Sequence, residues 1–297
     1  MKNEFDTLKQ NFDENGFVIF VNLLDAATLE NLRVGLEKIT NNVNSVSPNL
    51  ADKLFFEREH IKNNPQWYAG VLTPEACGDS IRQIDDLPLF DSAFADLIYY
   101  PPLLDALEIL FKSSEFSFNM MIARPKVARV GNGISNGNFH RDTPFEDLTE
   151  ANTIVAILCL DDMTDENGGT QFVRGSHKIS GEEARKEIWR DVEKDKFSSE
   201  EIVTACCPAG SGIFFDTKVL HAAGHNRSPF PRRTIQIEWV GADVLPTSPV
   251  RYAFQGLKPR SQQRAFARQN KLAFPHISST LRRTGNFSEA IRFKLKS

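Results

Sequence analysis

Cysteine is scarce in this 297-residue sequence: there are four, and no two of them form a Cys-x-x-Cys pair. This spacing argues against a disulfide framework or a zinc knuckle and favours a reducing compartment. The sequence also lacks an apolar run long enough for a transmembrane helix, and the charged segment from Met1 to Gly16 does not resemble a signal peptide. We therefore expect a cytoplasmic protein with no membrane partner.

Internal repeats, low-complexity tracts and a clean interdomain linker are also lacking. The hydrophobic content of 41% and the charged content of 25% are typical of a globular protein, and 23 phenylalanines suit a β-rich core. We expect one domain over residues 1–297. It would have a helical N-terminal support to about residue 115, a β core over about 116–245 and a basic C-terminal segment over 250–297.

The charge is unevenly distributed along the chain. Residues 250–297 contain eleven lysines and arginines and one acidic residue, a net charge of +10, so the remainder carries −14 within the overall −4. The basic segment could dock on the acidic body, or some of its charges could meet an anionic substrate or a neighbouring subunit. A nucleic-acid partner is not expected, because the whole chain is acidic and shows no recognition motif. The oligomeric state is left open.

The first third of the chain alternates between apolar runs and polar segments. An apolar run predicts a strand over Phe17–Val21, and Asp25 is a suitable N-cap for an amphipathic helix ending at Asn41. The segment Asn44–Asp86 is polar and is predicted to be irregular. Helices are predicted at Phe90–Ile98 and Pro102–Phe111.

From Phe116 onward the sequence consists of short β-branched and aromatic runs separated by turn signals. The predicted strands are Phe116–Ile122, Thr153–Leu160, Thr170–Val173, Gly212–Phe215 and Thr234–Val240, with a charged helical excursion over Glu182–Lys196. Strands of this kind predict a mainly β fold, a sandwich or barrel, with flanking helices.

The short stretch His140-Arg141-Asp142 provides the first candidate site. On a strand, His140 and Asp142 would project from the same face and Arg141 from the other. Two histidines and one carboxylate suit non-haem Fe(II), and His221 could be the second histidine. Taken alone, a His-x-Asp pair can arise by chance or as a surface pairing, and a single histidine such as His221 is more often structural.

Arg232 strengthens the metal-site interpretation. It follows His221 by eleven residues and opens the apolar run that begins at Thr234. A guanidinium gives planar, two-point recognition of a carboxylate, so Arg232 could hold the far end of a 2-oxo diacid whose other end chelates the metal and leaves one position for O₂. Thr234, on the same face, could add a hydroxyl contact. The alternative is a surface arginine at a strand end, which we expect for Arg233.

With these residues the chain resembles the phytanoyl-CoA dioxygenase family of Fe(II)/2-oxoglutarate-dependent oxygenases. The resemblance lies in the Gly16–Ile19 opening with its following helix, in His140–Asp142, in the turn Asn167–His177 and in the segment His221–Arg232. It implies a double-stranded β-helix core of the jelly-roll or cupin-like kind. It also implies iron binding by His140, Asp142 and His221, 2-oxoglutarate binding by Arg232, and a structural role for His177. Many relatives have a serine where this chain has Ala223, and Thr234 could replace its contact.

The resemblance further implies oxidation of an unactivated C–H bond of a small molecule, with release of succinate and CO₂. Related halogenases have a small residue at the carboxylate position, so Asp142 favours hydroxylation, or another oxidation by the same oxidant. The substrate could be anionic or resemble a natural product of secondary metabolism. Arg141, Trp67 and Tyr68 are candidate substrate contacts, and the glycine- and asparagine-rich loop over 131–137 is a candidate lid.

The sequence is also compatible with two other functions. A non-oxidative cupin-like metalloenzyme would use Zn²⁺ or Mn²⁺ and would not need an arginine at position 232. A jelly-roll binding protein would have non-catalytic histidines, no tight Fe(II) site and no dependence on 2-oxoglutarate.

Overall fold

Two antiparallel sheets and a layer of helices make up the fold. The computed structural model describes residues 2–63, 65, 73–126, 139–142, 152–186, 192–224, 226–244 and 250–272. The helices are α1 Lys2–Asn15, α2 Ala26–Asn41, α3 Glu57–Asn63, α4 Pro74–Cys77, α5 Ser92–Leu97, α6 Pro101–Phe111, α7 Gly181–Lys186 and α8 Pro259–Gln269, with 3₁₀ turns at Val43–Ser45, Pro48–Lys53, Leu87–Leu89 and Lys194–Lys196. In the described part of the chain, each helix is too short or too polar to cross a membrane.

The strands form a large and a small sheet. They are β1 Phe17–Phe20, β2 Leu54–Phe56, β3 Ile81–Ile84, β4 Ser117–Lys126, β5 Thr153–Cys159, β6 Thr170–Val173, β7 Ile202–Thr204, β8 Gly212–Asp216, β9 His221–Ala223 and β10 Arg232–Val240. The large sheet has the order β1-β8-β5-β10-β4-β3-β2, and the small sheet has the order β7-β6-β9. The prediction of a mainly β fold with flanking helices is confirmed.

The large sheet separates two hydrophobic clusters because its side chains alternate between faces. On β10, Ile235, Ile237 and Trp239 belong to the cluster shared with the helices. On the other face, Phe215 of β8 packs with Phe172 of the small sheet. The alternate side chains of β10, beginning with Arg232, therefore point into the space between the two sheets.

Several predicted elements agree closely with the structure. Strand β6 has the predicted bounds, and β10 begins two residues earlier than predicted, at Arg232. Helix α2 ends at Asn41, as predicted, and the side chain of Asp25 accepts a hydrogen bond of 2.8 Å from the backbone N–H of Thr28. Local capping chemistry and apolar spacing were sufficient to place these elements.

Two segments differ from the sequence prediction. The stretch Asn44–Asp86, predicted to be irregular, contains β2 and β3, which extend the large sheet beyond β4. These strands have only three and four residues, so their pairing with neighbours defines them more than their own pattern does. Within the helix predicted at Glu182–Lys196, the described residues form only α7 and a 3₁₀ turn. The N-terminal support therefore supplies strands as well as helices.

The described part of the basic C-terminal segment packs against the body of the protein. Helix α8 lies on α6, where Arg260 forms ion pairs with Asp105 and Glu108, and Arg264 also pairs with Glu108. Arg260 is only 2% exposed, so its charge belongs to the packing between the two helices. For residues 250–272 the contacts agree with a basic segment docked on an acidic body.

Candidate metal centre

His140 and His221 face each other across an antiparallel bridge at the edge of the small sheet. The backbone N–H of each residue donates to the carbonyl oxygen of the other, at 3.0 Å in both directions. The centroids of the two imidazole rings lie 4.5 Å apart. Residues distant in sequence are thus brought together by backbone pairing.

Asp142 completes a cluster of three possible metal ligands. Its Oδ1 lies 3.4 Å from Nε2 of His140, and its Oδ2 lies 3.2 Å from Nε2 of His221. One ligand atom from each residue lies within 4.8 Å of the other two. Nδ1 of His221 lies 3.1 Å from the carbonyl oxygen of Val219, which can only accept, so Nδ1 carries the proton and Nε2 is free to bind a metal.

The electrostatics of the cluster suit a divalent cation. Burial alone would raise the pKa of Asp142, but attraction to His221 and hydrogen bonds from both histidines hold that pKa well below its usual range. For His221, burial alone would lower the pKa, but the neighbouring carboxylate of Asp142 outweighs this effect, so the net pKa of His221 is raised. The carboxylate is therefore ionised in the metal-free protein, and two imidazoles flank it. These residues fit Fe(II), which binds imidazole and carboxylate ligands on one face.

Arg141 points away from this cluster. Its Nη1 donates to the carbonyl oxygens of Ser176, at 2.6 Å, and of Lys218, and the residue is 4% exposed. The sequence suggested that Arg141 contacts the substrate. These hydrogen bonds favour a structural role instead, in which Arg141 fixes the segment that carries His140 and Asp142. The reason is the alternation of side chains, which turns Arg141 to the face opposite His140 and Asp142.

Arg232 lies buried between the sheets at the start of β10. It is 5% exposed, its Nη1 contacts the sulfur of Met163 at 3.8 Å, and its buried Nε has no hydrogen-bond partner among the described residues. Burial lowers its pKa. A buried guanidinium with unused donors fits a carboxylate ligand, since two parallel hydrogen bonds would satisfy it. Arg233, by contrast, forms ion pairs with Asp161 and Glu37 at the surface, as expected.

Thr234 lies on the same face as Arg232, two residues along β10. Its side chain is buried, and its hydroxyl donates to the carbonyl oxygen of Arg124 at 3.5 Å. The hydroxyl oxygen can still accept a hydrogen bond, or its proton can turn to an acceptor on a ligand. Thr234 is therefore placed beside Arg232, where a second contact to the same ligand is possible.

A model of the phytanoyl-CoA dioxygenase (PhyH) family matches residues 12–234, which include the three ligand candidates, Arg232 and Thr234. The chain belongs to the phytanoyl-CoA dioxygenase family. Among curated relatives, the dioxygenase aneA of Aspergillus aculeatus is 29% identical over 185 residues, covering 56% of this chain and 53% of the relative. An ectoine dioxygenase of Bordetella bronchiseptica is 21% identical over 90% of this chain and 83% of the relative. This PhyH-family chain spans about half the length of the fungal relatives that it matches first.

Solved structures share the fold of this PhyH-family chain. The non-haem, α-ketoglutarate-dependent carbocyclase SnoK of nogalamycin biosynthesis superposes with a TM-score of 0.61 at 16% identity, over 86% of this chain and 89% of SnoK. The epimerase SnoN, in complex with Fe³⁺, α-ketoglutarate and nogalamycin RO, superposes with a TM-score of 0.58 at 18% identity, over 88% and 98% of the two chains. The predicted double-stranded β-helix fold is confirmed.

Other predicted site residues lie elsewhere or outside the described part of this PhyH-family chain. His177 is buried, and its Nε2 lies 3.1 Å from the carbonyl oxygen of Asp13, away from the ligand cluster. Its contact is structural, as the family resemblance implied. Trp67, Tyr68 and the predicted lid over 131–137 lie outside the described residues.

Glu238 and Arg124 were not predicted from the sequence. Both lie on the face of the large sheet that carries Arg232 and Thr234. Glu238 follows Thr234 by four residues on β10, and Arg124 of β4 pairs with Thr234. The signal was present: Arg232, Thr234, Gln236 and Glu238 form an alternating polar row within a strand whose other residues are apolar. A polar row inside a buried strand indicates a site on that face.

Proposed function

We propose that this chain is an Fe(II)- and 2-oxoglutarate-dependent dioxygenase acting on a small molecule. We infer that it hydroxylates an unactivated C–H bond and releases succinate and CO₂. The observation that carries the proposal is the combination of two features between the sheets. Three metal-ligand candidates converge within 4.8 Å, and the buried guanidinium of Arg232 lacks a carboxylate partner among the described residues.

Each residue would have a distinct task. His140, Asp142 and His221 would bind the iron from one side and leave the opposite side for 2-oxoglutarate and O₂. Arg232 would hold the far carboxylate of 2-oxoglutarate, with Thr234 as a second contact. The bound iron would supply the oxidation chemistry, which no side chain of the protein can provide. As a metal ligand, Asp142 would take the coordination position that a chloride would need, which favours hydroxylation.

The relatives support this proposal by their family and their named activities. Four are named dioxygenases of fungi, and two are named ectoine dioxygenases of bacteria. SnoN holds Fe³⁺, α-ketoglutarate and a natural product in its crystal structure. We therefore propose a small-molecule substrate from secondary metabolism. We also infer a cytoplasmic location, since cysteine is scarce and its spacing does not suggest a disulfide framework.

The first experiment is to add Fe(II) and 2-oxoglutarate to the protein without oxygen. We expect a visible metal-to-ligand charge-transfer band in the wild-type protein. The band should be lost in His140→Ala and weakened in Arg232→Ala, while His177→Asn, which alters a buried histidine outside the cluster, should keep it. Each variant is first checked for folding by circular dichroism.

Absence of the band in folded, metal-loaded wild-type protein would contradict the proposal and favour a cupin-like metalloenzyme or a binding protein. If the band is present, oxygen is then admitted and the release of succinate is measured. Succinate formation that requires both Fe(II) and 2-oxoglutarate would establish the oxidative reaction.

A further inference from the structure

Glu238 is a buried carboxyl group on the inner face of the large sheet and is not one of the three metal-ligand candidates. We propose that Glu238 binds a positively charged group of the substrate, so that the substrate class is small molecules carrying an ammonium group. This inference rests on the proposed function, because it concerns the substrate of the same site.

The register of the strands places Glu238 on the same face of the sheet as a residue that contacts the metal centre. Val155 of β5 pairs with Glu238 on one side and with Phe215 of β8 on the other, so the three lie in one row across the sheet. The ring of Phe215 lies 4.7 Å from the imidazole of His221. Neighbouring strands are about 4.8 Å apart, so the backbone of Glu238 lies roughly 10 Å from that of Phe215. Besides burial, the negative charge of Asp142 raises the pKa of Glu238, so the two carboxyl groups lie within electrostatic range of each other.

The carboxylate of Glu238 is held in place by a short chain of amides. Nδ2 of Asn119 donates to its Oε1, and Nε2 of Gln255 donates to Oδ1 of Asn119 at 2.7 Å. Asn119 lies at a β-bulge, where Glu238 pairs with Met120 and Trp239 with Phe118. Bulges redirect side chains near binding sites. The arrangement orients the carboxylate, and the donor that Asn119 supplies to it is neutral.

Comparison with other buried acids shows that Glu238 lacks a counter-ion among the residues that the structure describes. Asp105, at 1% exposure, pairs with Arg260, and Asp86, at 3% exposure, pairs with Lys53 at 2.8 Å. Glu238 is 4% exposed and forms no ion pair with any described residue. A buried carboxylate without a cation is costly, and a cationic ligand would remove that cost.

The local electrostatics favour a cation over an anion. Burial raises the pKa of Glu238 to about 7, the hydrogen bond from Asn119 opposes this shift, and the negative charge of Asp142 adds to it. Tyr252, in the C-terminal segment, is within the electrostatic range of Glu238 as well. An ammonium group would favour the ionised form of Glu238, whereas an anion would be repelled by it. Neither of these neighbours supplies a positive charge. Arg124, a cation on the same face, acts on Asp142 and His221 and is not among the groups that shift the pKa of Glu238.

The test measures whether a small cation binds near the metal of the loaded protein. The probes are ethylammonium and ethanol, which have equal numbers of heavy atoms and differ in charge. The protein is loaded with 2-oxoglutarate and either Mn(II), which is paramagnetic, or Zn(II) as a diamagnetic reference. The relaxation rate of the methyl protons of each probe is measured with the Mn(II)-loaded and the Zn(II)-loaded protein. The difference between the two rates reports how much of the probe binds near the metal.

With the wild-type protein, we expect the Mn(II)-dependent increase in relaxation rate to be about tenfold larger for ethylammonium than for ethanol. A tenfold preference in binding corresponds to about 1.4 kcal/mol. Glu238→Gln should remove this preference, Glu238→Asp should keep part of it, and Glu115→Gln, at an exposed position, should leave it unchanged. Equal relaxation by both probes in the wild-type protein would overturn the inference without the use of any variant. An unchanged preference in folded Glu238→Gln would overturn it as well.

The two proposals fail in different ways. If Fe(II) and 2-oxoglutarate give no charge-transfer band, the proposed function fails, whatever the result of the probe experiment. If the band is present and the cation is not preferred, only the assignment of Glu238 is overturned.

Discussion

Nη1 of Arg232 lies 3.8 Å from the sulfur of Met163, which is its one hydrogen-bond acceptor in the described part of the chain. A thioether is a weak acceptor and cannot balance a buried positive charge. Both residues are buried, at 5% and 1% exposure. This contact therefore marks the position where a ligand carboxylate would be held.

Met163→Glu should abolish the binding of 2-oxoglutarate, because a carboxylate from the protein would then occupy Arg232. We expect the affinity to fall at least about 100-fold, which corresponds to about 3 kcal/mol. The measurement is titration of the charge-transfer band under anaerobic conditions. Met163→Leu preserves the apolar packing and should change the affinity by less than about threefold. Undiminished binding in folded Met163→Glu would contradict the role of Arg232.

Arg141→Ala should destabilise the protein because its guanidinium is bonded to the carbonyl oxygens of Ser176 and Lys218. Loss of hydrogen bonds from a charged group typically costs about 2–3 kcal/mol. We expect a decrease of this size in the free energy of unfolding of the metal-free protein, measured with urea. Arg141→Lys should recover part of it. If stability is unchanged and only substrate affinity falls, the substrate contact suggested by the sequence would be correct.

Glu238→Gln should stabilise the protein at pH 8 more than at pH 5. The pKa of Glu238 is raised to about 7 in the folded protein from an ordinary value of 4.5, so the folded state holds its proton over a range where the unfolded state loses it. Stability therefore falls as pH rises from 4.5 through 7, by on the order of 3 kcal/mol at most. Thermal unfolding of wild type and variant at both pH values measures this. A variant effect of equal size at both values would contradict the assigned pKa.

The helix α2 and the strand β10 could be predicted because each depends on local information. Asp25 caps its own helix, and the alternation along β10 lies within nine residues. The family resemblance linked His140 to His221, which pair through backbone hydrogen bonds that no local pattern reveals.

Other features depended on contacts between distant residues and could not be predicted. The short strands β2 and β3 exist because they pair with each other and β3 with β4. The structural role of Arg141 depends on carbonyl oxygens 35 and 77 residues away. The alternating polar row that contains Glu238 is visible in the sequence, but its alignment with Phe215 depends on the register of three strands.

Arg260 offers a test of how the basic C-terminal segment is attached. Its guanidinium is almost fully buried and pairs with Asp105 and Glu108 of α6. Arg260→Met should lower the free energy of unfolding by about 3–5 kcal/mol, since it leaves the buried carboxylate of Asp105 without the cation that pairs with it, whereas Glu108 keeps Arg264. The double variant Arg260→Met/Asp105→Leu should recover part of the loss, because it removes the carboxylate of Asp105 as well.

Urea unfolding of the wild-type protein, both single variants and the double variant gives the coupling energy between Arg260 and Asp105. Additive effects would show that the two residues act independently, and that α8 is held on α6 mainly by apolar contact. A large coupling would show that the ion pair attaches α8 to the body. In that case the charge of Arg260 is already used within the protein, and any substrate role of the segment would fall to its other basic residues.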